Sequence, residues 1–367
     1  MRNSSDVIVI GAGIVGAAAA RALAAAGRRV LVLRREGAAG EATTAAAGML
    51  APQIETHADD PMLPLAIAAR EYYRDLAAQL GEAGHDIGYR PDGILHVACD
   101  AAGARDLEAQ AAAQRSLGLE AEYWDRAELE RRVPGIGARV VGGAFAPRDG
   151  HVDNVALAGA LVADAQRLGA EVRNVEVDAL TVRGGSVTGV RGGDESFLAP
   201  VVVLAAGAWA PAIGCLPRPL PIAPVRGQMA LAPWPAGEEQ RVIFGPGAYL
   251  VPRGDYAVLG STMEQAGFAP ETTAEGIAHI RTATGMLFPP LLTYPIVRTW
   301  AGLRPVTPDA RPIIGRDPDV AGLVYACGHG RNGILLGPLT GEIVRDLVVT
   351  GETRWDLAPY AVSRFTG

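Results

Sequence analysis

Short apolar runs alternate with alanine-rich, helix-period stretches along most of the 367 residues, and glycine marks the joins. The clearest unit is residues 7–36, VIVIGAGIVGAAAARALAAAGRRVLVLRRE. Four β-favouring residues run into Gly11, Gly13 and Gly16, a helix beginning with Ile14 and Val15 reaches Ala26, Gly27 stops it, and residues 30–33 form a second apolar strand. The pattern predicts a complete strand–helix–strand unit. Gly11 suits the tight turn, Gly13 lets backbone amides approach a pyrophosphate, and Gly16 lets the helix pack close to the strand. The N-terminus of that helix is then an anion site. A glycine-rich turn without a ligand is the plain alternative, but strand, helix and strand framing G-x-G-x-x-G favour a dinucleotide site.

The same patterning organises the rest of the chain. Residues 37–55 are small enough to let backbone come close to a flat ligand, or to form a tightly packed helix against the sheet. Residues 61–80 and 100–117 read as helices and 92–99 as a strand, followed by a mixed stretch with turns that ends in a strand at 140–146. Asn154 is placed to cap a helix to Leu168, residues 171–177 and 181–191 read as strands, and the apolar run 201–206 ends at Gly207 beside Trp209. Between Pro211 and Arg304 the composition shifts to Pro and Gly with short β runs at 222–231, 242–244, 249–252, 256–261 and 296–301, and a helix at 273–287. A last strand, 323–327, enters the glycine-rich turn GHGRNGILLGPLTG and a terminal helix. The fold class expected is α/β: a discontinuous nucleotide domain over 1–85, 148–215 and 303–367, with an inserted α+β domain built on an antiparallel sheet over 86–147 and 216–302.

A carboxylate usually ends the second strand of such a unit and takes the ribose hydroxyls. Here that place holds Arg34, then Arg35, and only then Glu36. Positions 34 and 36 share a strand face, so Glu36 is expected to reach the ribose while Arg34 turns to solvent or phosphate. An arginine there also suits a 2′-phosphate, the NADP alternative.

Charge and cysteine usage narrow the class. A formal net charge of -7 with scattered basic residues argues against a nucleic-acid surface. Three cysteines far apart, Cys99, Cys215 and Cys327, argue against a metal site or disulfide frame and suit a reducing cytoplasm. The residues before the first strand are too few for a secretory signal, and the small-residue run 17–26 carries Arg21 and is too short to span a bilayer, so a cytoplasmic protein off the membrane is expected.

The motifs VIVIGAGIVG, TTAAAGMLAP from Thr43, AYLVPR from Ala248, AGLRP from Ala301 and GHGRNGILL from Gly328 occur in an order that resembles the glycine oxidase family, within the D-amino acid oxidase and sarcosine oxidase superfamily. The resemblance implies a Rossmann-like domain holding FAD non-covalently, a small amino acid as substrate and molecular oxygen as partner. It implies oxidation of an amine next to a carboxylate by hydride transfer from Cα to flavin N5, giving glyoxylate, an amine and hydrogen peroxide, with no protein acid or base required. Carried over residue by residue, Arg304 takes the substrate carboxylate, Tyr249 and Arg331 support it, and Met263 walls the pocket. The flavin would lie against Ala47, Gly48 and Met49 on one side and His329, Gly330, Arg331, Asn332, Gly333, Ile334 and Leu335 on another. Thr43 and Thr44 would serve the phosphates, Val177 the adenine, and Gly207 with Trp209 the crevice. His329 reads as a flavin-loop residue and not as a base.

The chain departs from the family pattern at Arg34, at Ala42, and at Gly247 and Ala248 ahead of Tyr249. Small residues at the last two places suggest a roomier pocket on the amine side, fit for an N-substituted glycine. Such an enzyme serves either thiazole formation in thiamine synthesis or the trimming of an N-carboxymethyl amine. A dehydrogenase passing electrons to a carrier and a non-catalytic nucleotide-binding protein remain as alternatives, and a homo-oligomer is left open.

Overall fold

The computed structural model describes residues 4–37 and 40–365; Ala38 and Ala39, within the small-residue stretch, lie outside the described residues. Two sheets carry the chain. The first has six strands in the order Ile313–Arg316, Leu323–Cys327, Val201–Leu204, Val7–Ile10, Val30–Arg34 and Glu171–Asn174, parallel except for the antiparallel first pair. Both faces are covered, as a parallel sheet requires. Val7 and Val9 pack with the helices Ile14–Ala25, Leu63–Glu82, Asn154–Arg167 and Gly333–Val349, while Ile8 and Ile10 pack with a three-stranded sheet through Val190 and Phe197. The two-residue alternation of a strand divides one apolar run between two cores.

The first and last helices lie against each other, with Gly341 so near Ala18 that a Cβ on it would come 2.6 Å from the Ala18 carbonyl carbon. Gly16 admits the strand-to-helix turn in the same way: a Cβ there would meet the Gly11 carbonyl oxygen at 2.0 Å. The expected role of Gly16 in close packing therefore has a direct steric basis.

The second sheet has eight strands, running Arg298–Val306, Ala223–Pro233, Tyr256–Gly260, Ala248–Arg253, Val242–Gly245, Ile94–Ala98, Gly142–Ala146 and Glu122–Asp125. It is antiparallel except where Val242–Gly245 meets Ile94–Ala98 in parallel. Helix Ala274–Leu287 covers one face through Ile280, Ala283 and Leu287. The other face presents Met229, Phe244, Tyr249 and Trp300 toward Ala47 and Met49.

Local expectations needed adjustment at two places. The helix after residue 153 is capped by Asp153, whose carboxylate accepts from the Val155 and Ala156 amides, and Asn154 instead donates to Thr43 O at 2.7 Å. The mixed stretch after Tyr123 contains the helix Arg126–Arg132, capped by Asp125. Both are cases of Asp outcompeting its neighbours for free amides at a helix start.

Beneath the helical turn Pro52–Glu55 lies a buried ion pair, Arg70 Nη1 to Asp149 Oδ1 at 2.7 Å, with Gln53 bonded to both residues. Burial pushes the Asp149 carboxyl up, to about 7, against the opposing pull of Arg70. Arg70→Leu strands that carboxylate and is expected to cost about 3 kcal/mol, since removing one partner of a buried pair leaves an uncompensated charge. Chemical denaturation measures this, and adding Asp149→Leu to Arg70→Leu is expected to recover part of the loss.

Candidate active site

The C-terminal ends of the parallel strands and the inner face of the second sheet enclose a cleft of about 420 Å³. Two helix starts reach it. Gly11, Gly13, Ile14 and Val15 line it at the first, and His329, Gly330, Arg331, Asn332, Gly333, Ile334 and Leu335 at the last. Each helix start brings partial positive charge, about half an elementary unit for a helix of this kind, and at the first the Ile14 amide donates to Thr43 Oγ1 at 3.0 Å. Thr43, Ala47, Gly48 and Met49 line the cleft between them, with Val177, Gly207 and Trp209 toward the second strand's end.

Gly16 keeps its expected packing role behind the first turn, and two expected residues lie elsewhere. Thr44 is exposed with its hydroxyl donating to Glu41 O at 3.3 Å, and Glu36 is exposed and does not line the cleft. The chain turns at Glu36 and Gly37, so the strand alternation that was to aim Glu36 inward has already ended. Arg34 and Arg35 do line the cleft. Arg34 donates to Asn174 Oδ1 at 2.9 Å on the neighbouring strand, and Arg35 lies 4.4 Å from the centre of the Trp209 ring and 3.3 Å from Glu176.

The wall opposite the helix starts carries Arg304. It is half-buried, and its Nη2 donates to Ser261 Oγ at 2.7 Å and its Nη1 to Thr262 O at 3.2 Å. Gly227 makes room for it, since a Cβ there would fall 2.0 Å from Arg304 Nη1. Met229, Phe244 and Tyr249 form an apolar floor, with the Tyr249 ring stacked on Phe244 and its hydroxyl against Met229 Sδ at 3.5 Å. Met263 sits at the rim, 58% exposed. Arg331 is exposed and pairs with Glu55 at 3.1 Å.

His329 is fully buried, its Nε2 within 3.0 Å of Thr340 Oγ1, and burial drives its pKa down to about 3. It is neutral across the working range and fixes the loop to the helix.

Sequence reasoning overlooked several residues. Glu41 and Glu55 line the cleft, and both sat unremarked in the small-residue stretch. Arg253, the end of the AYLVPR motif, donates to Ala47 O and Asn154 Oδ1, both at 3.0 Å. Trp300 Nε1 donates to Ala45 O at 3.0 Å. The charge of Arg253 inside an apolar motif was the one signal available for these supports.

A glycine-lined cleft between two helix starts, with a guanidinium on the facing wall, defines a dinucleotide-dependent protein of the α/β class. The chain belongs to the FAD dependent oxidoreductase family, whose model matches residues 6–347. A Synechocystis protein described as bifunctional protein ThiO/ThiG is 39% identical across 100% of the chain, which spans only 55% of that relative's length. A glycine oxidase structure from Geobacillus kaustophilus superposes with a TM-score of 0.94 at 33% identity, covering 99% of this chain and 100% of that one. An iminodiacetate oxidase structure from Chelativorans sp. gives 0.89 at 30% identity, covering 97% and 98%. The expected α/β fold, the family resemblance and the dependence on FAD therefore hold. Among the described residues no helix is long and apolar enough to cross a membrane.

The contact between Gly227 and Arg304 is testable. Gly227→Ala displaces the guanidinium and is expected to weaken binding of a small carboxylic acid about tenfold or more, the value of a charged hydrogen bond, while FAD content is unchanged. Titration of the flavin absorbance with acetate or glycolate reads both quantities.

Proposed function

We propose that the protein is an FAD-dependent amine oxidase of glycine oxidase type, taking two electrons from glycine or an N-substituted glycine to leave an imine that water hydrolyses to glyoxylate and an amine or ammonia, while oxygen is reduced to hydrogen peroxide. The observation that carries this reading is Arg304: a guanidinium on the wall of the cleft, held by a hydroxyl and a carbonyl, with no carboxylate partner among the described residues. A guanidinium fork matches a carboxylate at two points, and its charge in a partly apolar cleft calls for an anion.

The glycine and alanine lining and the two helix starts fit FAD: residues 11–15 and Thr43 would hold the pyrophosphate, and Ala47 to Met49 and His329 to Leu335 would hold the ring. When bound, FAD would supply the acceptor for the α-hydrogen and its electron pair, with oxygen as the final oxidant. Arg304 fixes the carboxylate, which limits the positions open to the α-carbon and so removes much of the entropic barrier. Tyr249, Phe244 and Met229 exclude water beneath it. The terminal helix start favours negative charge developing at its end of the cleft. The sheet that carries Arg304 and Tyr249 acts as the substrate domain, and the parallel sheet as the cofactor domain.

Space on the amine side favours a substituted substrate. Gly247 and Ala248 both line the cleft and bring no larger side chain into it. The relative that is an iminodiacetate oxidase acts on such a substrate by name. Arg331 at the rim offers a second cation for a second carboxylate once it leaves Glu55. A cytoplasmic setting with oxygen as acceptor goes with this reading.

Arg304→Ala is expected to raise KM about 100-fold, in line with the loss of two charged hydrogen bonds, with FAD still bound. Equal turnover of the variant at low substrate contradicts the assignment. Peroxide release under air is expected and separates oxidase from dehydrogenase. Across a panel, iminodiacetate or an N-alkyl glycine is expected to exceed glycine in kcat/KM, and glycine ahead of every analogue removes the roomier-pocket reading.

A further inference from the structure

Ser261 follows the strand Tyr256–Gly260, lines the cleft together with Arg304, and accepts from Arg304 Nη2 on its Oγ at 2.7 Å. A serine hydroxyl has two lone pairs and one hydrogen, and a guanidinium has no lone pair to receive that hydrogen. Accepting from Arg304 therefore turns the Ser261 O–H away from it, and among the described residues no group accepts from that O–H. The donor is left for whatever sits beside the guanidinium.

We propose that Ser261 is a further donor to the substrate's carboxylate, its hydroxyl adding a hydrogen bond to the two-point pairing offered by Arg304. The proposal rests on the assignment of Arg304 to the carboxylate and deepens it. An anion drawn to the Arg304 fork comes beside the one hydroxyl that is bonded to that fork. A carboxylate has about four acceptor directions, so pairing with a guanidinium leaves others open to a hydroxyl. A hydroxyl-to-carboxylate bond is charge-assisted and stronger than its neutral counterpart.

The backbone around Ser261 is fixed from the neighbouring strand. Gln228 N donates to Thr262 Oγ1 at 2.9 Å, Arg226 and Glu264 exchange backbone hydrogen bonds at 2.9 Å, and Arg304 Nη1 donates to Thr262 O at 3.2 Å. Gln228 is buried, and its side-chain amide is committed to Glu264 Oε1 and to the hydroxyl and backbone amide of Thr273. A hydroxyl on a segment held this way loses little freedom when the acid arrives, so its bond adds to affinity and orientation. Removing the hydroxyl also leaves Arg304 tied to the Thr262 carbonyl, a backbone group that Ser261→Ala does not touch.

The test titrates the flavin absorbance of the FAD-loaded full chain with acetate, in wild type, Ser261→Ala, Ser261→Thr, Arg304→Lys and the double variant Ser261→Ala with Arg304→Lys. Ser261→Ala is expected to weaken acetate about tenfold, the span of one charged hydrogen bond, at unchanged FAD content. Ser261→Thr, which keeps the hydroxyl, is expected to stay close to wild type. Arg304→Lys keeps the charge without the fork and is expected to weaken acetate too. Direct donation to the acid predicts a further loss when Ser261→Ala is added to Arg304→Lys. A hydroxyl that only steadies the guanidinium has nothing left to steady in that background, so the absence of a further loss overturns the assignment. Acetate binding weakened by Arg304→Lys but untouched by Ser261→Ala overturns it as well, and leaves Arg304 as the carboxylate's partner. Binding that Arg304→Lys does not weaken contradicts the reading of Arg304 itself and takes this one with it.

Discussion

The packing of the first helix against the last is the constraint on which the rest depends. Residues more than 300 apart in sequence meet where Gly341 faces Ala18 and Gly337 faces Ile14, at a separation that leaves no room for a side chain at Gly341 and little at Gly337. Because the two helices run side by side from the same edge of the parallel sheet, their starts open on one cleft. The amides and partial charges of both ends then act on a single ligand.

The strand Arg298–Val306 ties the second sheet to that cleft. Its Leu303 amide holds Gly40, its Gly302 lies against Ala45, its Trp300 holds the Ala45 carbonyl, and its Arg304 faces inward. One extended segment thus fixes both the backbone that lines the cleft and, on the proposed reading, the cation for the substrate. Arg253 closes the same loop from the other side through Ala47 and Asn154. A site so supported can place a substrate to a fraction of an ångström, which is what orientation-driven catalysis needs.

Much of this was legible in the chain because it rests on local pattern. The alternation at residues 7–10, the spacing of Gly11, Gly13 and Gly16 and the glycine turn before residue 333 each report directly on φ, ψ and close approach, and each sits where expected. The parallel junction between Val242–Gly245 and Ile94–Ala98 was not legible, since strands whose paired residues lie 148 apart in sequence carry no local sign of their partner. The placement of Glu36 failed for a similar reason: the alternation rule holds only while the strand lasts, and a turn begins at that residue. Glu41, Glu55 and Gly227 gain their meaning from neighbours contributed by remote strands and helices, so their chemistry appears only in three dimensions.

The central claim is that a carboxylate is held by Arg304 in front of the flavin. A crystal structure of the FAD-loaded protein with glycolate, which carries the carboxylate and no oxidisable amine, tests it most directly. The account predicts the acid paired at two points with the Arg304 guanidinium above Gly227, its remaining carbon over the flavin ring. An acid bound elsewhere in the cleft, with Arg304 still engaged only by Ser261 and Thr262, would contradict it.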